Sequence, residues 1–494
     1  MFESLPQGPT IKNGEYEERA ETLRHELLQA QFALDDSQCP TLLVIGGVDG
    51  AGKGALVHRL TEWMDARGIE TSTYWMHSDE EVSRPYFWRF WRKLPKRGSI
   101  GIFLGSWYHG PTQLAIDGML DDCDLAKQGE QLRFFEDMLT DDGALIIKLW
   151  LHIDRKTQKL QLTERAGKQQ NPRVTDRPYE IRGGFDEHLT VASSLLGATS
   201  SKRNPWHLID ATTRNHRELA AGDLILTAMQ ARLAALPDKD TSVAKKPSTA
   251  KKHKRLASVD LEQRIKRSDY KKQLKHWQAK LQDLAWQAYS DERPVVALFE
   301  GWDAAGKGSA IRRVTSAIDP RLFQLVQIAA PSDEELAHHY LWRFWRKLER
   351  DGRCTFFDRS WYGRVLVERV EGFATTNEWM RAYDEINDFE QQLVSHGCIV
   401  LKFWLHISKD EQLARFEARQ EEPRKQHKIT DDDWRNRKKW PAYEAAVEDM
   451  LQQTDTSIAP WTVIAGNNKR YARVEILKTF CDTLSAALEN TADK

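Results

Sequence analysis

The stretch "GWDAAGKGS" at residues 301–309 decides the fold of this chain. It follows a short apolar run, "PVVALFEG" (294–301), and precedes "GSAIRRVTSAI", which has helical spacing. It fits the pattern G-x-x-x-x-G-K, in which backbone N–H groups turn toward phosphate oxygens at a helix N-terminus and the lysine adds a positive charge. We therefore predict a phosphate-binding loop. Its predicted contact residues are Gly301, Ala304, Ala305, Gly306, Lys307, Gly308 and Ser309.

The loop has a twin earlier in the chain, "GVDGAGKGA" at 47–55. "WRFWRKL" likewise occurs at 88–94 and at 342–348, which is an offset of 254 (342 − 88). "SDEE" and "WLHI" recur with the same offset, and the register slips by one residue later, where two Pro-Trp pairs match. Repeats this consistent indicate a tandem duplication of a unit of roughly 230 residues.

Each copy alternates short apolar runs with helical segments. In the second copy a helix is predicted at 270–290. Four strands are predicted, at 294–301, 354–358, 398–407 and 461–466. Such alternation predicts an α/β fold with three αβα layers around a mostly parallel, buried sheet. The predicted organisation is a first domain at 1–235, a Lys-rich linker at 236–258 and a second domain at 259–494.

Composition narrows the classes of function. The chain has 72 Lys and Arg residues against 73 Asp and Glu residues, a net charge of −1, so any polyanionic partner must meet a local basic patch. The chain lacks an apolar run long enough to cross a membrane, and its start lacks the features of a signal peptide. Its five scattered cysteines are best explained as reduced thiols. We expect a cytoplasmic protein with no nucleic-acid or membrane partner.

The loop departs from the usual pattern at one position. Gly308 stands where most phosphate loops have the Ser or Thr that helps to hold Mg²⁺. Other oxygen ligands are then required, because Mg²⁺ favours hard oxygen donors. Asp303 lies within the loop, and Asp358 ends the strand "CTFFD". We predict that these two carboxylates form the metal site.

Several basic residues follow the second strand. Arg359 directly follows Asp358, and Arg364 lies five residues on; guanidinium groups at such positions stabilise the charge of a transferring phosphoryl group. Arg343, in "LWRFWRKL", is predicted to face phosphate while the aromatic residues of that segment pack in the core. Glu368 is predicted to support the arginines or the metal. The charged segment 415–439 is interpreted as a lid that closes over phosphates.

The motifs "GWDAAGKGS", "LWRFWRKL", "FFDRSWYGRVLVERV" and "APWTVIAGNNKRYAR" together resemble the family-2 polyphosphate kinases. The resemblance covers nearly all of 260–480 and, more weakly, 10–230. It implies a thymidylate-kinase-like P-loop fold and Mg²⁺-dependent phosphoryl transfer between inorganic polyphosphate and nucleotides, with Mn²⁺ as a substitute metal. The duplicated arrangement resembles the tandem members, which the family associates with the transfer of phosphate to AMP, forming ADP.

The resemblance also implies roles for individual residues. It places catalytic functions on Asp303, Lys307, Asp358 and Arg359. It adds three phosphate-binding residues in the lid, which are Arg415, Arg419 and Lys428. His427 stands where relatives often have Trp. A homo-oligomer of pseudo-dimeric chains is a further expectation.

The first copy lacks key parts of this machinery. "IFLGSWY" at 102–108 matches "FFDRSWY" at 356–362, yet Leu104 and Gly105 replace the Asp-Arg pair, and Gly110 replaces Arg364. Asp49 and Lys53 remain in its loop. We expect the first copy to fold, to be able to hold a phosphate at its loop and not to turn over.

Three alternatives stay open at this point. The acceptor is a nucleoside diphosphate, GMP or another monophosphate instead of AMP; the chain is a non-catalytic scaffold that binds polyphosphate; or it is an ATP-dependent kinase of small metabolites. The intact loop and Asp-Arg pair of the second copy argue against the scaffold. The missing loop hydroxyl and the several basic clusters argue against the metabolite kinase.

Overall fold

A computed structural model describes residues 2, 5–74, 76–168, 183–235, 254–423 and 429–489. Most of the predicted linker lies outside these residues. The chain forms two compact units, and each takes a short segment from the opposite half of the sequence. The first unit comprises Met1–Ser78, Arg89–Thr241 and Ser332–His339. The second comprises Asp79–Trp88, Ser242–Pro331 and Tyr340–Lys494.

Each unit is built on a parallel sheet, as predicted, and each sheet has five strands. The strands of the first sheet are β1 (Thr41–Gly47), β2 (Ile69–Thr73), β3 (Ile100–Leu104), β4 (Leu145–His152) and β5 (Trp206–Asp210). Those of the second are β6 (Val295–Gly301), β7 (Phe323–Gln327), β8 (Cys354–Asp358), β9 (Ile399–His406) and β10 (Trp461–Ala465). The orders β2-β3-β1-β4-β5 and β7-β8-β6-β9-β10 are equivalent. The strand that precedes each phosphate loop is therefore central, and all four predicted strands of the second copy are confirmed.

Helices flank both sheets. In the first half of the chain they are α1 (Asn13–Asp36), α2 (Lys53–Trp63), α3 (Asp79–Val82), α4 (Trp88–Trp91), α5 (His109–Ile116), α6 (Asp122–Asp141), α7 (Arg155–Lys168), α8 (Phe185–Thr199) and α9 (Arg214–Ala234). In the second half they are α10 (Arg267–Ser290), α11 (Lys307–Thr315), α12 (Asp333–Leu336), α13 (Trp342–Trp345), α14 (Val367–Glu371), α15 (Thr376–Ser395), α16 (Lys409–Glu421), α17 (Asp431–Lys438), α18 (Trp440–Thr454) and α19 (Lys469–Glu489). The helix predicted at 270–290 is confirmed as α10. Among the described helices, none has the length and apolar character needed to cross a bilayer.

A buried lysine–glutamate pair lies in the core of each unit. In the second unit the Lys402 ammonium donates to a Glu390 carboxylate oxygen at 2.8 Å. The hydroxyl of Tyr362 donates to the other oxygen at 2.7 Å, and the indole of the preceding tryptophan donates to it at 3.1 Å. Lys148 and Glu136 repeat the pair in the first unit at 2.6 Å. Since unpaired buried charges are costly, this network requires the "SWY" motif in both copies.

Candidate active site

The second phosphate loop leaves β6 at the centre of the sheet and enters α11. Gly301 has a φ of 147°, and a Cβ there would lie 2.5 Å from the Leu405 carbonyl oxygen, so only glycine fits. Ala304 and Gly306 also have positive φ values, of 61° and 111°. The Ser309 hydroxyl donates to the Gly306 carbonyl at 2.9 Å. The chain thus turns tightly into a helix N-terminus, the geometry that favours anions.

The lysines of the two loops differ in their hydrogen bonds. Lys307 donates to the carbonyls of Gly301 (2.6 Å) and Trp302 (3.4 Å). Lys53 donates to the two equivalent carbonyls at 2.7 and 3.3 Å and also to the Asp49 carboxylate at 3.1 Å. An ammonium group has three donors. One N–H donor of Lys307 therefore makes no hydrogen bond to a described residue. All three N–H donors of Lys53 are used within its own loop.

Asp358 lies beside the start of α11. It ends β8, where it pairs in register with Phe299 of β6. Its Oδ2 atom is 3.7 Å from the position that a Cβ on Gly308 would occupy. The missing side chain of Gly308 therefore leaves room next to this carboxylate, whereas the first unit has Leu104 at the equivalent place.

Asp303 joins the loop to two other elements. Its Oδ2 accepts a hydrogen bond from Asn436 of α17 at 3.0 Å, and its Oδ1 lies 3.5 Å from Nη2 of Arg359. The guanidinium side chain of Arg359 is 55% exposed. The sequence prediction did not include Asn436, although it stands in the lid segment "DDDWRNRKKW". The phosphate loop, the residue that follows β8 and helix α17 thus meet at the carboxylate of Asp303.

Arg359 has an unusual backbone. Its φ is 63°, in the left-handed region that side chains other than glycine rarely adopt. The equivalent residue of the first unit, Gly105, has a φ of 83°, and a Cβ there would lie 2.0 Å from the Tyr74 carbonyl oxygen. A strained non-glycine conformation is typical of functional positions. The second unit retains this strain together with a guanidinium, and the first unit has a glycine instead.

Asp303 and Asp358 offer only hard carboxylate oxygens. Among the described residues no group of three or more His, Cys, Asp or Glu side chains gathers as a cation site. Mg²⁺ usually takes one or two carboxylates together with substrate phosphates and water. The donor set at this loop therefore fits Mg²⁺.

Arg415 was predicted to bind phosphate, and the structure surrounds its guanidinium with acceptors from the protein itself. This arginine is 5% exposed and lies behind the loop. Its guanidinium donates to the Glu411 carboxylate, to the carbonyls of Ala304 and Ala305 (both 2.9 Å) and to those of Gly466 (2.7 Å) and Asn467 (3.0 Å). All five donors are thus used inside the protein. Arg415 fixes the loop and has no donor left for a phosphate.

The other predicted lid residues differ in accessibility. Arg419 is half-buried, four residues further along α16. Lys428 lies outside the described residues. Burial lowers the pKa of Lys469, and the charges of Arg415, Arg419 and Arg473 lower it further, so four cations share one region. The sequence prediction missed Lys469 and Arg473, although both stand in the quoted motif "APWTVIAGNNKRYAR".

Arg343, Arg364 and Glu368 also lie close together. Nη1 of Arg364 is 3.2 Å from the Glu368 carboxylate, and its guanidinium lies 4.5 Å from the centre of the Tyr340 ring. Burial raises the pKa of Glu368, against the opposing effect of both arginines. Arg343 donates to the Ala329 carbonyl at 3.1 Å. Glu368 therefore contacts Arg364, as the supporting role predicted for it requires.

The sequence prediction also missed a buried carboxylate that directly precedes the phosphate loop. Glu300, the residue before Gly301, is 6% exposed and accepts a hydrogen bond from the Ser360 hydroxyl at 2.8 Å. Burial raises its pKa, and the charge of Lys307 opposes that shift. The first unit has Gly46 at this position. A single Glu inside the apolar run "PVVALFEG" was the available signal.

The phosphate loop of the second unit follows the central strand of a parallel sheet. A lysine, two carboxylates and an arginine surround it. This arrangement is typical of P-loop-like phosphotransferases. Comparison with known proteins gives the family. The chain belongs to the Polyphosphate kinase 2 family, whose family model matches residues 10–237 and again 264–492.

Two relatives match this chain along nearly its whole length. The protein named "Polyphosphate:AMP phosphotransferase" of Pseudomonas syringae pv. tomato is 43% identical, with 100% of both chains covered. The protein of the same name from Pseudomonas aeruginosa is 43% identical, with 99% of both covered. A crystal structure described as "putative polyphosphate kinase 2" from Pseudomonas aeruginosa superimposes with a TM-score of 0.88 at 43% identity, covering 100% of both chains. Shorter relatives named for ADP or GDP match only 50% and 45% of this chain.

Proposed function

We propose that this chain transfers the terminal phosphoryl group of inorganic polyphosphate to AMP, forming ADP, at the loop of the second unit. The observation that carries the proposal is the full-length, two-copy similarity to relatives named for this reaction. The site supports it, because a lysine with a donor to spare, two carboxylates and an exposed guanidinium surround one phosphate loop. A cytoplasmic location is part of the proposal, since all five cysteines are free thiols.

Each residue at the phosphate loop of the second unit has its own role in phosphoryl transfer. The loop N–H groups and the remaining donor of Lys307 bind and orient the transferred phosphate, and this positioning is most of what such catalysis needs. The Arg359 guanidinium stabilises charge that spreads over the equatorial oxygens. Asp303 and Asp358 would hold Mg²⁺, or Mn²⁺ in its place, which when bound neutralises negative charge on the phosphates. Arg415 and Asn436 keep the loop and Asp303 in position.

Acceptor choice is the first test of this proposal. With polyphosphate and Mg²⁺, we expect AMP to be converted to ADP faster than ADP is converted to ATP. The expectation rests on the relatives, because no single residue contact distinguishes the acceptors. Initial rates with AMP, GMP, ADP and GDP, measured by chromatographic separation of the products, decide it. Equal or faster formation of ATP from ADP would favour the alternative, a kinase of nucleoside diphosphates.

Alanine substitutions of the two lid arginines, Arg415 and Arg419, should affect different kinetic constants. Arg415→Ala removes the bonds that hold two loop carbonyls, so we expect kcat to fall by about 10²-fold, the typical effect of a small displacement of catalytic groups. Arg419→Ala should instead raise the KM for polyphosphate and make it more sensitive to salt, with kcat nearly kept, because polyanion affinity depends on cationic contacts.

Steady-state kinetics at two salt concentrations separate these effects. Arg415→Lys is the matched control, since an ammonium replaces at most three of the five hydrogen bonds and should restore only part of kcat. If Arg415→Ala changes only the polyphosphate KM, its side chain binds the donor after all.

A further inference from the structure

The first unit contains a cavity of about 360 Å³ above its phosphate loop. The matching cavity of the second unit has about 90 Å³. Small-molecule sites typically begin at about 300 Å³. The first unit therefore has the larger space at the equivalent place, which is unexpected if its loop is only a remnant of the second loop.

Differences between the two copies create this space. In the second unit Trp302 stacks on Trp440, with ring centroids 3.7 Å apart and planes within 9° of parallel. Val48 replaces Trp302 in the first unit, and Phe185, which replaces Trp440, lies against the guanidinium of Arg155. Gly46 also removes the side chain that Glu300 provides in the second unit. Two large rings and a carboxylate are thus absent from the volume over the first loop.

Two imidazoles line the cavity, at positions where the second unit has Gly363 and Tyr443. His188 is 6% exposed and packs edge-on against Trp150, with centroids 5.6 Å apart. His109 is half-buried. Neither ring makes a hydrogen bond to any described residue. Burial lowers the pKa of both to about 4, so both are neutral at pH 7, and each offers one donor and one acceptor.

The charge of the cavity differs from that of the catalytic loop. The Lys53 ammonium is neutralised by Asp49 at 3.1 Å. Gly105 and Gly110 replace the two arginines of the second unit. The remaining wall is largely aromatic and aliphatic, with Tyr108 and Trp206 among its residues. An apolar wall with neutral hydrogen-bonding groups suits an uncharged ring better than a polyanion.

We propose that the cavity of the first unit is a second binding site, for an uncharged heteroaromatic molecule of the nucleobase or nucleoside class. The ring lies among the aromatic side chains, and its nitrogen and oxygen atoms bond to His109 and His188. Polyphosphate is not its ligand. The site is separate from the proposed phosphotransferase reaction and needs no turnover to be detected.

Isothermal titration of the full chain with adenosine tests the proposal, with tripolyphosphate as a second, purely anionic probe. Ala192 lines the cavity from α8, so Ala192→Phe fills it; we expect the number of adenosine molecules bound per chain to fall by one. His188→Phe keeps a ring but removes the hydrogen bonds, and should weaken that site about tenfold. Ser194→Phe, at an exposed position of the same helix, is the matched control and should leave adenosine binding unchanged.

Circular dichroism and thermal unfolding establish that the variants are folded. If Ala192→Phe and His188→Phe, while folded, bind as much adenosine with the same affinity as the unaltered chain, the proposal is wrong. It is also overturned if tripolyphosphate binding, and not adenosine binding, is lost in Ala192→Phe. Because every readout is binding, failure of the proposed AMP reaction would not affect the result.

Discussion

Lys307→Ala and Asp358→Asn are each expected to lower turnover by on the order of 10³-fold while the protein stays folded. Lys307 has one donor that no described residue takes, and Asp358 lies next to the side-chain-free position at Gly308. Both side chains are directed at the phosphate loop, and little of either takes part in the core. Rates of ADP formation from polyphosphate and AMP, with circular dichroism of each variant, provide the measurement.

The first loop supplies the matched control. Lys53→Ala should leave kcat nearly intact, because the donors of Lys53 are all used inside its own loop. The double variant Leu104→Asp with Gly105→Arg should not create a second working site, since a Cβ at residue 105 would lie 2.0 Å from the Tyr74 carbonyl oxygen. Activity within about threefold of the unaltered enzyme for Lys307→Ala or Asp358→Asn would show that catalysis occurs elsewhere.

The contrast between "IFLGSWY" and "FFDRSWY" separates what packing requires from what chemistry requires. Tyr362 and the tryptophan before it bond to buried Glu390, and Tyr108 makes the same bond to Glu136. Both copies need those bonds to fold. Asp358 and Arg359 face the loop and take no part in that network, so the first copy can replace them without losing its core.

The sequence predicted features that depend on local pattern. The loop, the duplication and four strands of the second sheet followed from glycine spacing, repeats and apolar runs. Strand β7 (Phe323–Gln327) was missed because it is a partly exposed strand at the edge of the sheet. Its sequence, "FQLVQ", lacks the continuous apolar run of a central strand.

The features of the site that the sequence did not predict depend on tertiary contacts. A basic residue in a charged lid segment gives no sign of the direction of its guanidinium, so Arg415 was predicted to bind phosphate although it bonds to carbonyls behind the loop. Asn436 lies 133 residues from Asp303, and only the folded chain brings them to 3.0 Å. Contacts of this kind have no local sequence signal.

The exchanged segments make each unit depend on the opposite half of the sequence. Asp79–Trp88 belongs to the second unit, where the Arg84 guanidinium donates to the Leu348 carbonyl at 3.1 Å and the Asp351 amide donates to the Ser83 carbonyl at 3.1 Å. Conversely, Ser332–His339 belongs to the first unit. A cut in the linker therefore separates Asp79–Trp88 from the rest of the second unit and Ser332–His339 from the rest of the first.

An isolated 256–494 fragment is accordingly expected to self-associate or precipitate and to lose most of its turnover. It lacks Asp79–Trp88, so the backbone and side-chain partners of that segment are exposed, and its own Ser332–His339 segment has lost the unit in which it packs. Size-exclusion chromatography with light scattering, thermal unfolding and ADP formation are the measurements. Co-expression of separate 1–255 and 256–494 chains is the control and should recover a soluble one-to-one complex, because each segment is then supplied by the other chain. A monomeric fragment with full activity and unchanged thermal stability would mean that the exchanged segments contribute nothing to the second unit.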